Sequence, residues 1–207
     1  MGRRLNPNII ITGTPGTGKS THAQHLRDLM HDASEGDTIP LEIFHISDLV
    51  KTANLHQGSD AEWSTLLVDE DKLLDHLEPR ALAETGGCVF DWHCCDFFPE
   101  RWIDLVIVLR CNHTLLWDRL QGRGYALNKI QENNQAEIMQ VVLDEARAAY
   151  AEEKVVVLDS ESVEQIEANV ERIAEWMRKW KLDHPDGIDY DEDFSTSSAQ
   201  DEDDDES

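Results

Sequence analysis

Basic residues are scarce in this chain. Only 18 Lys and Arg stand against 43 Asp and Glu, which leaves a formal net charge of −25 at pH 7. Contact with nucleic-acid phosphates needs clustered Lys and Arg, so autonomous binding to nucleic acid is not expected. The deficit is uneven: residues 183–207 carry 12 acidic residues and no Lys or Arg, leaving −13 on residues 1–182. A basic protein is the partner that such a surface suits. Long apolar runs are missing as well. Nothing approaches the roughly 18 consecutive apolar residues of a membrane span, and Met1 to Asn8 lacks the apolar stretch of a secretory signal. The expectation is a protein of the cytosol or nucleus, without a membrane partner. Cysteines are few, and Cys88, Cys94, Cys95 and Cys111 include no CxxC pair and no His/Cys ligand spacing. They read as reduced thiols rather than a disulfide framework or a zinc site.

What the chain does have is enough apolar material for one full core, with 40% hydrophobic residues in a length of 207. Short apolar, β-branched runs read as buried strands at Asn8–Thr12, Leu41–Ile46, Cys88–Asp91, Ile103–Leu109 and Val155–Leu158. Helices are expected over Gly18–His31, over a short piece capped by Ser47, over Asp69–Glu84 with a kink or break at Pro79, over His113–Gln121 and over Asn128–Tyr150. The last helix is the clearest, because Val163, Ile166, Val170, Ile173, Met177 and Trp180 recur at helical steps. Asn54–Ser64 shows no period and reads as a loop. Residues 183–207 are acidic, Ser-rich and poor in apolar groups, which predicts a disordered tail after a domain of residues 1–182. Apolar strands alternating with helices make this an α/β protein: a five-stranded parallel sheet with helices on both faces.

Gly13-Thr14-Pro15-Gly16-Thr17-Gly18-Lys19-Ser20 matches G-x-x-x-x-G-K-[ST] at every fixed position. The glycines let successive N–H groups curl inward around a phosphate, and the helix that follows adds its positive end. The pattern therefore predicts ATP binding by Gly13, Gly16, Thr17, Gly18, Lys19, Ser20 and Thr21. Lys19 supplies charge to the β and γ phosphates, and the Ser20 hydroxyl is a ligand for Mg2+. A second signal lies in Val89-Phe90-Asp91-Trp92-His93. An Asp at the carboxyl end of a strand beside such a loop can hold the magnesium shell, so Asp91 joins Ser20 as a metal-side residue. His93, two residues on, either orients an attacking water or phosphate oxygen, or merely packs at the strand end.

Thr12 to Lys19, Asp91-Trp92-His93, Asp96-Phe97-Phe98-Pro99-Glu100-Arg101-Trp102 and Arg119-Leu120-Gln121-Gly122-Arg123-Gly124-Tyr125 together resemble the nuclear adenylate kinase 6 family, also described as coilin-interacting nuclear ATPases. The resemblance spans about residues 7–180. It implies the P-loop NTPase, or nucleoside monophosphate kinase, fold, with an acceptor-monophosphate flap at about 45–68 and an ATP lid at about 122–132. It implies weak adenylate kinase activity (ATP and AMP giving two ADP) beside ATPase activity, with Lys19, Asp91, His93 and Arg123 as catalytic residues and Arg119 and Arg123 as nucleotide contacts. Both arginines can alternatively be read as helix-surface charges. The resemblance further implies a role in small ribosomal subunit maturation in nucleus and cytoplasm. Its partners there would be a basic ribosomal protein of the subunit platform and the pre-ribosomal particle. Two departures favour hydrolysis: Lys51 stands where the animal relatives are expected to carry an arginine, and the lid is short, so it excludes water poorly. A nucleotide-switched assembly factor with little kinase activity is the alternative, and a kinase for an unrelated small molecule is a third reading.

Overall fold

The computed structural model describes residues 2–32, 38–60 and 65–189. The chain opens with a two-residue strand, β1 (Arg3–Arg4), then enters β2 (Ile9–Thr12), which is enclosed along its whole length. α1 (Lys19–His31) follows the glycine-rich loop, and β3 (Glu42–His45) runs directly into α2 (Ile46–Thr52). A hairpin of β4 (His56–Asp60) and β5 (Thr65–Val68) leads to α3 (Glu70–Ala81) and β6 (Cys88–Asp91). Next come β7 (Leu105–Arg110), α4 (His113–Gly122), α5 (Leu127–Ile138) and α6 (Val141–Ala149). β8 (Val155–Asp159), α7 (Val163–Asp183) and β9 (Ile188–Asp189) complete the described chain.

The main sheet has the order β3-β6-β2-β7-β8, and all its strands are parallel. Successive side chains on a strand point to opposite faces, and this parity divides the core in two. Ile9, Ile11, Leu105, Ile107 and Leu109 pack against α1 and α7, through Leu26, Met30, Ile173 and Met177. Ile10, Phe90, Val106 and Val108 pack on the other face, against Leu73 and Leu77 of α3 and Leu143 and Ala146 of α6. A strand buried on both faces has no polar position to spare, so the continuous apolar runs were readable as strands.

The structure corrects the sequence reading in several places. Much of the loop expected at Asn54–Ser64 is the strand β4, paired antiparallel with β5; residues 61–64 of that segment lie outside the described residues. Pro79 neither breaks nor ends α3, which continues to Ala81. The long helix expected over Asn128–Tyr150 is two helices, because Gln140 adopts φ +60° between α5 and α6. The residue that caps α2 is His45 rather than Ser47. The segment expected to be disordered from Asp183 begins with the end of α7 and the strand β9, which pairs antiparallel with β1. Residues 190–207 lie outside the described residues.

The β1–β9 pair sits over a buried charge. Arg4 is fully enclosed, and its guanidinium donates to both oxygens of Asp104 at 2.7 Å and to the Trp102 carbonyl at 3.1 Å. Asp104 also accepts from the Asn8 backbone N–H at 2.7 Å. The pair thereby fastens the N-terminal segment beneath the sheet, at the start of β7 and just ahead of β2.

Candidate active site

The loop between β2 and α1 is shaped by its glycines. Gly13 has φ +141°, and a Cβ there would stand 2.5 Å from the Leu109 carbonyl oxygen, so the backbone approaches β7 more closely than any other residue allows. Gly18 opens α1 at φ +94°. The Thr17 hydroxyl turns back into the loop and donates to the Thr14 carbonyl at 2.9 Å, while Thr21 lies exposed in the first turn of α1. Lys19 folds over the same loop and donates to the carbonyls of Gly13 at 2.7 Å and Thr14 at 3.2 Å. The residue keeps some surface open to solvent while its ammonium is surrounded by protein. Desolvation lowers its pKa to about 8, with the Arg123 cation adding to the effect and Asp91 opposing it.

Asp91 ends β6 next to β2 and stands in register with His45, the last residue of β3. Its Oδ2 accepts from the Ser20 hydroxyl at 2.5 Å and meets His45 Nδ1 at 2.7 Å. Thus α1, β6 and β3 converge on one carboxylate at the carboxyl ends of the strands, where open α/β sheets place their ligands. His93 follows at the bend after β6, with its ring 4.2 Å from that of Trp92. The ring is open to solvent yet crowded by protein. Desolvation first, then the Lys19 cation, lower its pKa to about 4, with Asp91 opposing. His93 is therefore a neutral imidazole near pH 7. A base this weak serves better as a hydrogen-bonding orienter than as a proton store.

The loop is also held from α5. Glu137, in the last turn of α5, is 3% exposed. One of its oxygens accepts from the Thr14 hydroxyl at 2.5 Å, and the other accepts from Arg110 Nε at 2.5 Å and the Cys111 N–H at 3.1 Å. Arg110 also donates to the Glu137 backbone carbonyl at 2.8 Å. A buried carboxylate with three donors thereby joins the glycine-rich loop, the end of β7 and the end of α5.

A cavity of about 860 Å³, within the size range of small-molecule sites, collects most of these groups. Pro15, Gly16, Lys19 and Ser20 line it from the glycine-rich loop and the start of α1, Asp91 and His93 from the end of β6 and the bend after it, and Arg123, Tyr125 and Lys129 from the end of α4 to the start of α5. Ser47, Val50, Lys51, Leu66 and Val68 come from α2 and β5. Of the residues singled out in the sequence, Lys19, Ser20, Asp91, His93 and Arg123 are therefore brought together. Arg119 stays outside this cavity: it donates to the carbonyls of Ser160 at 2.8 Å and Glu161 at 3.0 Å, and more weakly to that of Gly16 at 3.4 Å. Lys51 lies 4.0 Å from Asp48 on the same helix, so its charge is partly matched before any ligand arrives. Burial raises the Cys94 thiol to about 11, which makes it a poor nucleophile in the cavity wall.

The oxygen pair of Ser20 and Asp91 suits a hard cation such as Mg2+. Among the described residues no group of three or more His, Cys, Asp or Glu is placed to hold a metal ion. An ion carried in with nucleotide phosphates and water, touching the protein at few points, fits this donor set. Sequence reasoning missed His45 and Glu137. For His45 no local signal pointed to Asp91, 46 residues away. For Glu137 one signal was available, the spacing of Ile130, Asn134 and Glu137, which puts a carboxylate on the buried stripe of α5.

A family model described as an AAA domain matches residues 9–140. The adenylate kinase isoenzyme 6 homolog of Schizosaccharomyces pombe is 52% identical over 178 residues, covering 86% of this chain and 95% of that protein. The adenylate kinase isoenzyme 6 homolog FAP7 of Saccharomyces cerevisiae is 45% identical over 186 residues, covering 90% and 89%. Among solved structures, a shikimate kinase from Bacteroides thetaiotaomicron aligns with a TM-score of 0.53 at 14% identity, over 82% of this chain and 97% of its own. That likeness concerns the fold alone, and the fold is that of the P-loop nucleoside monophosphate kinases.

Proposed function

The chain belongs to the adenylate kinase isoenzyme 6 family, and on that premise we propose that it transfers the γ-phosphoryl group of ATP to AMP, giving two ADP, and also hydrolyses ATP. The observation that carries this reading is the single cavity shared by the phosphate loop, Asp91 and the acceptor flap. Phosphoryl transfer asks the protein for positioning and charge more than for covalent chemistry. Lys19 neutralises the β and γ oxygens, Arg123 adds a second cation from the lid side, and Ser20 and Asp91 would hold Mg2+. When bound, that ion supplies further neutralisation of the phosphates. A bond forms from an acceptor oxygen to the γ-phosphorus as the bond to the β–γ bridging oxygen breaks. AMP brings a phosphate oxygen as the acceptor; water adds its oxygen to the γ-phosphorus and gives up a proton, which leaves to solvent. Neutral His93 orients the acceptor by hydrogen bonding. Lys51 offers an acceptor phosphate a point charge without a bidentate fork, which supports hydrolysis as a parallel outcome. Measuring ADP and phosphate with and without AMP tests the reading. It predicts phosphate release from ATP alone and additional ADP with AMP. No added ADP would remove the kinase half, and no phosphate release would remove the ATPase half.

The second proposal is that the protein acts in small ribosomal subunit maturation, in nucleus and cytoplasm, by shielding a basic ribosomal protein of the subunit platform on the way to the pre-ribosomal particle. The net charge of −25 supports this, since a negative field attracts a protein built to hold RNA phosphates. Under the stronger form, nucleotide only switches the grip on that partner. Binding should weaken and slow as salt rises, and RNA should compete. An affinity indifferent to both would defeat the proposal.

A further inference from the structure

We propose that His45 is a positioning residue, which holds the Asp91 carboxylate from the acceptor side and so ties the set of the acceptor flap to the group that faces the nucleotide-borne magnesium. The inference rests on the ATP reading above.

The placement follows from strand register. β3 and β6 are parallel neighbours with His45 opposite Asp91, so both side chains leave the same face of the sheet about 4.8 Å apart. An imidazole is long enough to cross that gap, and His45 Nδ1 lies 2.7 Å from Asp91 Oδ2. A carboxylate only accepts, so the hydrogen sits on Nδ1. Asp91 is 6% exposed, too enclosed to take its donors from bulk water. Among the described residues the donors to its side chain are Ser20 and His45, and they share the oxygen Oδ2.

These donors are not equivalent. The Ser20 oxygen has a second task, since it would be the hard ligand that α1 offers to magnesium. His45 has no such competing task and keeps the carboxylate oriented whichever way the Ser20 hydroxyl turns. It also stands at the N-cap position of α2, without a side-chain capping bond, and Ser47, Val50 and Lys51 of that helix line the cavity. A shift of the β3–α2 junction therefore moves the donor of Asp91 directly. Groups that orient a ligating carboxylate from behind typically change metal affinity by about 10–100-fold when lost.

The test measures binding. Calorimetry would follow a non-hydrolysable ATP analogue, with and without Mg2+, and read the gain in affinity that magnesium confers. His45→Leu should cut that gain about tenfold while the melting temperature stays near that of the parent. His45→Asn, whose amide nitrogen takes the place of Nδ1, should restore it. In an Asp91→Asn background, adding His45→Leu should change nothing further. An undiminished gain in His45→Leu, an equal loss in the Asp91→Asn background, or no recovery with His45→Asn each overturns the assignment. If His45→Leu and His45→Ala both lose the native melting transition, the role is structural and the proposal falls. A parent protein that shows no magnesium-dependent nucleotide binding removes the ATP reading itself, an outcome distinct from a normal parent with an indifferent His45.

Discussion

Nucleotide binding should draw a proton onto Lys19. In the free protein desolvation holds its pKa at about 8 against an ordinary 10.5, and the ammonium rests on the carbonyls of Gly13 and Thr14. Triphosphate beside it favours the charged form and returns the pKa toward or above its ordinary value. Near pH 9 only about a tenth of the free protein carries the charge, so binding takes up about 0.9 proton; near pH 7 it takes up about 0.1. The apparent ATP affinity should then fall about tenfold between pH 7 and 9, or about 1.4 kcal/mol. Calorimetry in two buffers of different ionisation enthalpy reads the uptake directly, and Lys19→Gln should abolish it. No net uptake at pH 9 in the parent, or an uptake that persists in Lys19→Gln, would refute the argument. The same shift bears on folding with a definite sign. The native state binds fewer protons than the unfolded chain, so the cost of burying the ammonium is fully felt below about pH 8 and is relieved as pH rises toward 10.5.

His93→Ala should bind ATP like the parent but turn over about 100-fold more slowly, and because burial holds the His93 pKa at about 4, the parent rate should show no histidine step from this residue between pH 5 and 8. Gly13→Ala should lose ATP binding and melt earlier, since its Cβ meets backbone at Leu109 rather than a movable side chain; a thermal scan with and without ATP shows both. Arg4→Ala strands Asp104 in the interior and should cost about 3–5 kcal/mol in urea unfolding. A chain ended at Leu182 loses β9 and its pairing with β1, and should melt below one ended at Asp189.

How far the sequence could be read depended on whether the informative interactions were local. β2, β6 and β7 were legible because a parallel strand buried on both faces shows as an apolar run. The phosphate loop was legible because its glycines serve backbone geometry within eight residues. β4 was not, since His56, Gln57, Gly58 and Ser59 show neither alternation nor apolar bias, and only the partner strand makes them a hairpin. The break between α5 and α6 hides in a non-glycine residue, Gln140, at positive φ. Lys19, Ser20 and Asp91, which line one cavity, each sit in a recognisable local pattern. Glu137 and His45 do not, because their meaning arises from contacts 123 and 46 residues away in the chain.

Glu137 also limits what can move around the loop. Its carboxylate fastens the C-terminal end of α5 to Thr14 and Arg110, while Ile130 in the middle of the helix is packed with Leu116 and Leu120 of α4. A displacement of α5 must therefore carry α4 with it or unpack that cluster, and either way it is felt at Thr14, inside the glycine-rich loop.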